Sequence, residues 1–289
     1  MLGIRPFAAT CVAATVFAIA PAHAEDLTIG YISTLSGPGA VLGVNQVNGF
    51  KLGLEHHGWK KNGDKLAGVP TKVVIGDSQA KVDVGLRLAR KMMFSDNAQI
   101  VAGIIWSNLL MAIQRPVIRA GRILISTNAG AGPMAGRRCN KMFLSTSFQN
   151  DEAAEAMGVL MNKDAIKRVF VMAPNYQAGK DYIAGFEKTF KGKTIGKILF
   201  KLNQTDYLAE LGRVRAANPD AVFIFAPGGM GISFMKQWFA AGMQKTVKLY
   251  TVYVVDTATL KAIGKAAVGT YHTSFWHPGL DNRRNEKFV

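Results

Sequence analysis

Short apolar runs alternate with longer amphipathic segments along this chain, and this alternation restricts the possible folds more than any other feature. The runs are rich in Val, Ile and Phe and are apolar on both faces, which is typical of strands in a parallel sheet covered by helices. They lie at 27–32, 71–75, 100–105, 122–126, 168–173, 196–201, 221–226 and 248–252. The pattern therefore predicts an α/β fold.

The segments between these runs have the composition and length of helices that pack on a sheet. Repeated strand–helix units of this length predict right-handed crossovers and a doubly wound parallel sheet. The predicted helices lie at 40–57, 81–95, 108–120, 151–163, 178–191, 207–217 and 231–241.

The units fall into two blocks, which predicts two lobes joined by a hinge. We assign residues 25–147 to an N-terminal lobe and residues 148–270 to a second lobe, with the polar segment 145–150 as the hinge crossing. Residues 271–289 are interpreted as the start of a return segment to the first lobe. A helical pattern begins at Arg283 and soon stops, so we expect the C-terminal part of the fold to be missing.

The first residues, MLGIRPFAATCVAATVFAIAPAHA, have the organisation of a secretory signal peptide. Arg5 precedes an apolar stretch that is short for a membrane span, and small residues follow it before Ala24. We expect cleavage near Ala24 and a periplasmic mature protein. Cys11 lies in this signal, which leaves Cys139 alone and excludes a fold held together by internal disulfides.

The formal net charge of +16 does not by itself indicate a nucleic-acid partner. The basic residues are scattered, no run of five or more occurs, and no alternation with aromatic residues suggests a nucleic-acid groove. A protein with a basic surface and no nucleic-acid partner is the favoured interpretation.

The sequence lacks the motifs of common enzyme and cofactor sites. There is no G-x-S-x-G elbow, no Walker loop and no H-E-x-x-H, and the His56–His57 pair lacks the further ligands that a metal site requires. Gly228, Gly229 and Gly231 follow a predicted strand, but without the G-x-G-x-x-G spacing they indicate close packing rather than phosphate binding. We predict a protein that is not an enzyme and has no metal or cofactor.

Small and polar residues follow the predicted strands at their carboxyl ends, where open α/β sheets bind ligands. Ser36 follows the first strand, Ser107 and Asn108 follow the third, and the glycine-containing loop 127–132 follows the fourth. A helix start offers free N–H groups that suit a carboxylate. Ser107 can either cap the helix or contact a ligand, and the loop glycines can serve either a tight turn or a ligand.

Several segments of this chain match one protein family in their order and spacing. They are LSGP at 35–38, GDSQ at 76–79, VDVG at 82–85, VAG at 101–103, ISTNAGAGP at 125–133, PNYQAGKD at 174–181, NPDAVF at 218–223 and GTY at 269–271. Together they resemble the periplasmic leucine/isoleucine/valine-type solute-binding proteins of ABC importers. The resemblance implies two flavodoxin-like lobes joined by a hinge, a small-molecule ligand, a membrane permease as partner and a monomer.

The resemblance also implies a ligand site. The serine at a helix start that holds the ligand carboxylate in amino-acid binders corresponds to Ser107, and a small-residue loop corresponds to Ala129, Gly130 and Ala131. Leu42 and Trp106 are further candidate wall residues.

Three family positions carry different residues here. The threonine of the small-residue loop corresponds to Ala131. The tyrosine after the second-lobe strand corresponds to Ala178, and the acid that binds the α-ammonium group corresponds to Tyr253, with Asp256 nearby in sequence. A buried ammonium without a carboxylate partner is destabilised by desolvation, so an aliphatic amino acid fits only if Asp256 or another acid replaces it. Tyr253, Trp106 and Tyr176 are predicted aromatic walls for a bulkier acid.

We therefore predict the solute-binding component of an ABC importer, which closes two lobes over a carboxylate-bearing solute. The solute is either similar to a branched-chain amino acid or an aromatic or other organic acid. The alternative is a ligand-sensing receptor domain of the same fold. A secreted enzyme is a third class, but no constellation of residues supports it.

Overall fold

The computed structural model describes residues 26–289, so the predicted signal peptide at 1–24 lies outside the described residues. A six-stranded sheet occupies the first half of this region, with the strand order β2-β3-β1-β4-β5-β6. Its pairs are parallel except β2 with β3. The strands are β1 (Leu27–Ser33), β2 (Lys65–Leu66), β3 (Val69–Asp77), β4 (Ile100–Gly103), β5 (Ile123–Ser126) and β6 (Phe143–Ser145).

A five-stranded parallel sheet follows, with the order β11-β10-β9-β7-β8. Its strands are β7 (Arg168–Pro174), β8 (Lys193–Phe200), β9 (Ala221–Phe225), β10 (Lys248–Val252) and β11 (Thr270–Thr273). If the short β2 is set aside, each sheet places its second strand outside its first and its third strand on the other side. This is the flavodoxin-like order, so the predicted doubly wound fold class is confirmed.

The longer helices match the predicted segments closely, because their apolar faces repeat with the helical period. The helices are α1 (Ala40–His56), α2 (Val82–Phe94), α3 (Ser107–Arg119), α4 (Glu152–Lys163), α5 (Gln177–Thr189), α6 (Leu208–Ala217), α7 (Gly229–Ala240), α8 (Leu260–Ile263) and α9 (Arg283–Phe288). Short 3-10 turns lie at Gly37–Gly39, Gly132–Met134, Met243–Lys245 and Gly264–Ala267. Gly121 and Gly242 follow α3 and α7 with φ of +69° and +68°, as expected of helix ends.

The central strands are buried on both faces, as the continuous apolar runs predicted. Every residue of β9 is buried, and β7 is buried from Val169 onward. The edge strands β6 and β11 are partly buried or exposed, and the apolar pattern did not reveal them because β6 has only three residues and β11 is rich in polar residues.

The chain passes between the sheets in the segment that joins β6 to α4, which contains the predicted hinge crossing. Phe148 lies in this segment and stacks on Tyr253 (ring centroids 5.4 Å apart) and on Phe275 (4.3 Å). Phe275 follows β11, which extends to Thr273 in the second sheet. The second sheet includes residues beyond 270, because β11 extends to Thr273. The lobe boundaries at 147 and 270 stay a prediction.

His272 gives the protein a pH-dependent stability that can be tested. Its Nδ1 lies 3.1 Å from Thr251 Oγ1, whereas its Nε2 is buried without a partner among the described residues. Burial lowers the pKa of His272 below the ordinary value of 6.5, and the charge of Asp256 only partly opposes this.

The unfolded chain therefore takes up a proton near pH 6.5 that the folded protein does not bind. The contribution of His272 to the free energy of unfolding is therefore expected to be constant above this pH and to become destabilising below it. Urea unfolding at pH 7.5 and 5.5 measures this effect. The decrease in the free energy of unfolding between the two pH values should be smaller for His272→Gln than for the unsubstituted protein. Equal losses would show that His272 does not contribute to this dependence.

Candidate ligand-binding site

A cavity lies between the carboxyl ends of the strands of both sheets. The strand order reverses between β1 and β4 in one sheet and between β7 and β9 in the other, and such switch points are where open α/β sheets bind ligands. The space between the lining atoms is about 450 Å³, and this figure includes space that is open to solvent. The wall consists of Leu42, Ile105, Trp106, Ser107, Asn128, Ala129, Phe148, Asn150, Tyr176, Ala178, Tyr182, Phe225, Pro227 and Tyr253.

The wall is aromatic and carries no charged side chain among the described residues. Trp106 from the first lobe meets Tyr176 from the second edge-to-face, with ring centroids 6.0 Å apart. Tyr182 stacks on Phe225 at 3.8 Å and meets Tyr253 edge-to-face at 6.0 Å. These rings offer both faces and edges to a ligand, which suits a flat apolar body.

Trp106 is held in one position by buried polar contacts. Its indole Nε1 donates to Thr34 Oγ1 at 2.8 Å, and Thr34 Oγ1 lies 2.8 Å from Ser78 Oγ. Ile104, just before it, has a φ of +73°, which is unfavourable for a β-branched residue. Such strain is found at sites whose surroundings fix the backbone. Here the conformation of Ile104 turns the chain from β4 towards the start of α3.

Ser107 is the first residue of α3 and is 2 % exposed. Trp106 occupies the cap position, and no side chain caps this helix. Ser107 Oγ accepts a hydrogen bond from Asn150 Nδ2 at 3.1 Å, so its own hydrogen remains available to donate. The first-turn N–H groups have no partner within the helix. Hydroxyl and amides together form a donor group suited to an anionic oxygen.

Asp181 bridges the two lobes beside this helix start. Its Oδ2 accepts from Gly132 N at 3.0 Å in the first lobe and from Asn150 Nδ2 at 2.9 Å in the crossing segment. Its Oδ1 accepts from Gln177 Nε2 at 2.7 Å. Asn150 therefore connects Ser107 to the second lobe, a role that its sequence position before a helix did not reveal.

Tyr253 follows β10 with a φ of +53°, which is rare for a bulky residue. Its hydroxyl is buried and has no hydrogen-bond partner among the described residues. Burial raises the pKa of Tyr253, against a smaller effect of the neighbouring Tyr182 hydroxyl, which does not reach hydrogen-bond geometry. Burial also raises the pKa values of Tyr176 and Tyr182, so all these hydroxyls stay neutral.

The structure brings part of the predicted site together at the cavity. The predicted residues that line it are Leu42, Trp106, Ser107, Ala129, Ala178 and Tyr253, together with the predicted aromatic wall residue Tyr176.

The other predicted residues lie elsewhere. A Cβ on Gly130 would stand 2.0 Å from the Phe148 carbonyl oxygen, so this glycine allows the crossing segment to approach, and with Ala131 it lines a separate cavity. Ser36 is exposed, and Asn108 lies outside the wall with a buried, unpartnered Oδ1.

Asp256 does not reach the cavity wall either. Its Oδ1 accepts hydrogen bonds from the backbone N–H groups of Ala258 and Thr259 and lies 3.0 Å from the Thr259 hydroxyl. One oxygen of the carboxylate is thus bound within its own turn.

Asn128 of the predicted loop 127–132 also lines the cavity. Several wall residues were not predicted, namely Ile105, Phe148, Asn150, Tyr182, Phe225 and Pro227. Phe225 and Pro227 follow the rule that identified Ser107, because they stand at the carboxyl end of β9. Tyr182 lies one helical turn after Ala178 on α5, which places both on the same face.

At the mouth of the cavity the two lobes are in direct contact. A Cβ on Gly229, the first residue of α7, would stand 2.8 Å from the Pro38 carbonyl oxygen and 3.0 Å from Pro38 Cα. A Cβ on Gly228 would stand 3.1 Å from the same oxygen. The glycines thus serve close packing, as predicted, and the surface they pack against belongs to the opposite lobe.

Residues 26–289 carry neither a metal-binding cluster nor a helix suited to cross a membrane. Within that range no cluster of His, Cys, Asp and Glu side chains is arranged to hold a metal ion. None of the helices described there has the length and apolar character needed to cross a membrane.

Comparisons with known proteins agree with this geometry. A family profile described as "Periplasmic binding protein" matches residues 26–289. The chain is 24 % identical over 294 residues to the Leu/Ile/Val-binding protein homolog 6 of Brucella melitensis biotype 1, a match that covers 99 % of this chain and 73 % of the relative.

Solved structures are similar as well. An ABC transporter solute-binding protein from R. palustris in complex with benzoate has a TM-score of 0.84 and 27 % identity, with 91 % of this chain and 72 % of that chain covered. One from Rhodopseudomonas palustris BisB5 in complex with 3,4-dihydroxybenzoic acid has a TM-score of 0.82 and 28 % identity, with the same coverage of 91 % and 72 %.

Proposed function

This chain belongs to the periplasmic binding protein family, and on that basis we propose that it binds a small aromatic carboxylate and delivers it to the membrane permease of an ABC importer. The observation that carries the proposal is the cavity wall, which combines aromatic rings with a helix-start donor group and has no charged side chain among the described residues.

The carboxylate of the ligand is proposed to bind at the start of α3. Ser107 has a hydrogen to donate, and the first-turn amides carry the partial positive charge of the helix. Burial of a carboxylate away from cationic side chains requires several such donors, which a helix start supplies at one point.

The apolar body of the ligand is proposed to lie among Trp106, Tyr176 and Phe225. The small side chains of Ala129 and Ala178 leave room beside these rings. An aliphatic α-amino acid is a poorer candidate, because its ammonium group would meet no carboxylate in the described wall and Asp256 is held by its own turn. The benzoate and 3,4-dihydroxybenzoic acid complexes of the similar solute-binding proteins support an aromatic acid.

The mechanism is closure of two lobes over the solute rather than chemical conversion. Pro38 and Gly229 meet at the mouth in the closed arrangement, and opening at the hinge separates them. We further propose that the signal peptide is cleaved near Ala24, that the lobes divide near residues 147 and 270, and that the mature protein acts as a periplasmic monomer.

A ligand panel tests this function directly. Benzoate, 4-hydroxybenzoate, leucine, isoleucine, valine and the neutral analogue benzamide would be compared by thermal unfolding and calorimetric titration. A ligand at 100 times its Kd should raise the unfolding midpoint by roughly 5–10 °C. We expect shifts with aromatic carboxylates but not with benzamide. Shifts with aliphatic amino acids alone would contradict the proposal.

Replacement of Ser107 by alanine should weaken the binding of an aromatic carboxylate by about 10- to 100-fold. The variant loses a hydrogen bond to a charged group, which contributes about 1.5–3 kcal/mol. Calorimetric titration measures the change. Ser95→Ala is the matched control, since Ser95 is exposed at the end of α2. Equal affinities of Ser107→Ala and the control would remove the helix start from the site.

A further inference from the structure

The hydroxyl of Tyr253 differs from those of Tyr31, Tyr207 and Tyr250, because it is buried and has no hydrogen-bond partner among the described residues. The hydroxyl of Tyr31 lies 3.0 Å from Thr127 Oγ1, and that of Tyr207 donates to the Gln204 carbonyl oxygen at 3.1 Å. The Tyr250 hydroxyl donates to Asp164 Oδ2 at 2.6 Å. The Tyr253 hydroxyl is buried without such a bond among the described residues, which is an unfavourable state for a polar group.

The ring of Tyr253 has little freedom to find another partner. Its backbone is held in the left-handed region at a φ of +53°. Phe148 stacks on the ring at 5.4 Å, and Tyr182 packs edge-to-face at 6.0 Å. The neighbouring Tyr182 hydroxyl forms no hydrogen bond with the Tyr253 hydroxyl. Because the ring forms part of the cavity wall, a ligand is the group outside the protein that can satisfy this hydroxyl.

We propose that Tyr253 selects ligands that carry a hydroxyl group on the aromatic ring. This inference rests on the proposed function, in which Ser107 and the start of α3 hold the carboxylate. A phenolic hydroxyl both donates and accepts, so it pairs with a neutral tyrosine hydroxyl in either direction. A site built to bond a polar group discriminates against analogues that lack it, because its own group is then left unpaired.

The test is a comparison of Kd values for benzoate and the 2-, 3- and 4-hydroxybenzoates. In the unsubstituted protein we expect at least one hydroxybenzoate to bind about tenfold more tightly than benzoate. In Tyr253→Phe this ratio should fall towards one. Tyr250→Phe is the matched control, because Tyr250 lies on the same strand segment but its hydroxyl bonds Asp164 away from the cavity wall. In that control the ratio should stay unchanged.

Thermal unfolding without ligand provides a second readout. Tyr253→Phe removes an unpaired hydroxyl, so its unfolding midpoint should be equal to or above that of the unsubstituted protein. Tyr250→Phe removes a paired hydroxyl and should unfold at a lower temperature. A decrease for Tyr253→Phe as large as that for Tyr250→Phe would overturn the inference, because it would reveal a partner within the protein.

The binding outcomes separate this inference from the function on which it rests. If benzoate and the hydroxybenzoates bind but their ratio is the same in Tyr253→Phe, the selection by Tyr253 is overturned and the proposed function stands. If no aromatic carboxylate binds the unsubstituted protein, the proposed function fails and the inference fails with it.

Discussion

Replacement of Gly229 by alanine is expected to weaken ligand binding by about tenfold or more without unfolding the protein. The added Cβ would stand 2.8 Å from the Pro38 carbonyl oxygen, and backbone atoms on the facing lobe cannot rotate away. Overpacking of this kind costs about 1–3 kcal/mol. The cost applies to the closed arrangement, because opening at the hinge moves Pro38 away from α7.

Gly212→Ala in α6 is the matched control for this prediction. A Cβ there meets nothing within 4 Å, and alanine in a helix interior is about 0.5–1 kcal/mol more stable than glycine. Calorimetric titration gives the affinities, and small-angle scattering with ligand gives the radius of gyration. We expect a larger radius for Gly229→Ala. A normal affinity for this variant would show that the mouth contact does not limit closure.

Replacement of Asp181 by asparagine is expected to weaken ligand binding by roughly 10- to 100-fold. The partners of this carboxylate, Gly132 N, Asn150 Nδ2 and Gln177 Nε2, are all donors. An asparagine must turn its own NH₂ group towards at least one of them, in either orientation of the amide. Hydrogen bonds to a charged group contribute about 1.5–3 kcal/mol each, so both the bridge between the lobes and the position of Asn150 are affected.

Asp83→Asn is the control for this substitution. Asp83 also lies on a helix, where its salt bridge to Arg87 is exposed to solvent and contributes little to stability. The affinity of the Asp83→Asn variant for ligand should equal that of the unsubstituted protein. If Asp181→Asn binds ligand as well as Asp83→Asn does, the bridge seen between the lobes does not support the binding-competent form.

The fold could be predicted from the sequence because burial on both faces leaves a local signal. The runs that became β1, β4, β7 and β9 are almost wholly apolar, and no partner needs to be known to recognise them. The edge strand β11 carries polar and partly exposed residues, so its place in the sheet depends on β10 rather than on its own composition.

The site could be predicted only in part. The principle that ligands bind at the carboxyl ends of parallel strands gives the positions of residues but not their hydrogen-bond partners. It located Ser107 and Ala129, which line the cavity. It did not reveal that Asn150 bonds both Ser107 and Asp181, because those contacts join residues 43 and 31 positions apart in the chain. Asp256 was expected near the ligand, but backbone N–H groups within its own turn already occupy its carboxylate.

The contact between Pro38 and Gly229 has a consequence at the outer surface of the molecule. Pro38 is exposed, although the cavity whose mouth it closes is lined by buried rings. In the proposed mechanism, closure of the lobes over the solute changes the distance between the segments that carry Pro38 and Gly229. Binding inside the cavity would thus alter the shape of the outer surface, which a permease could recognise without contacting the solute.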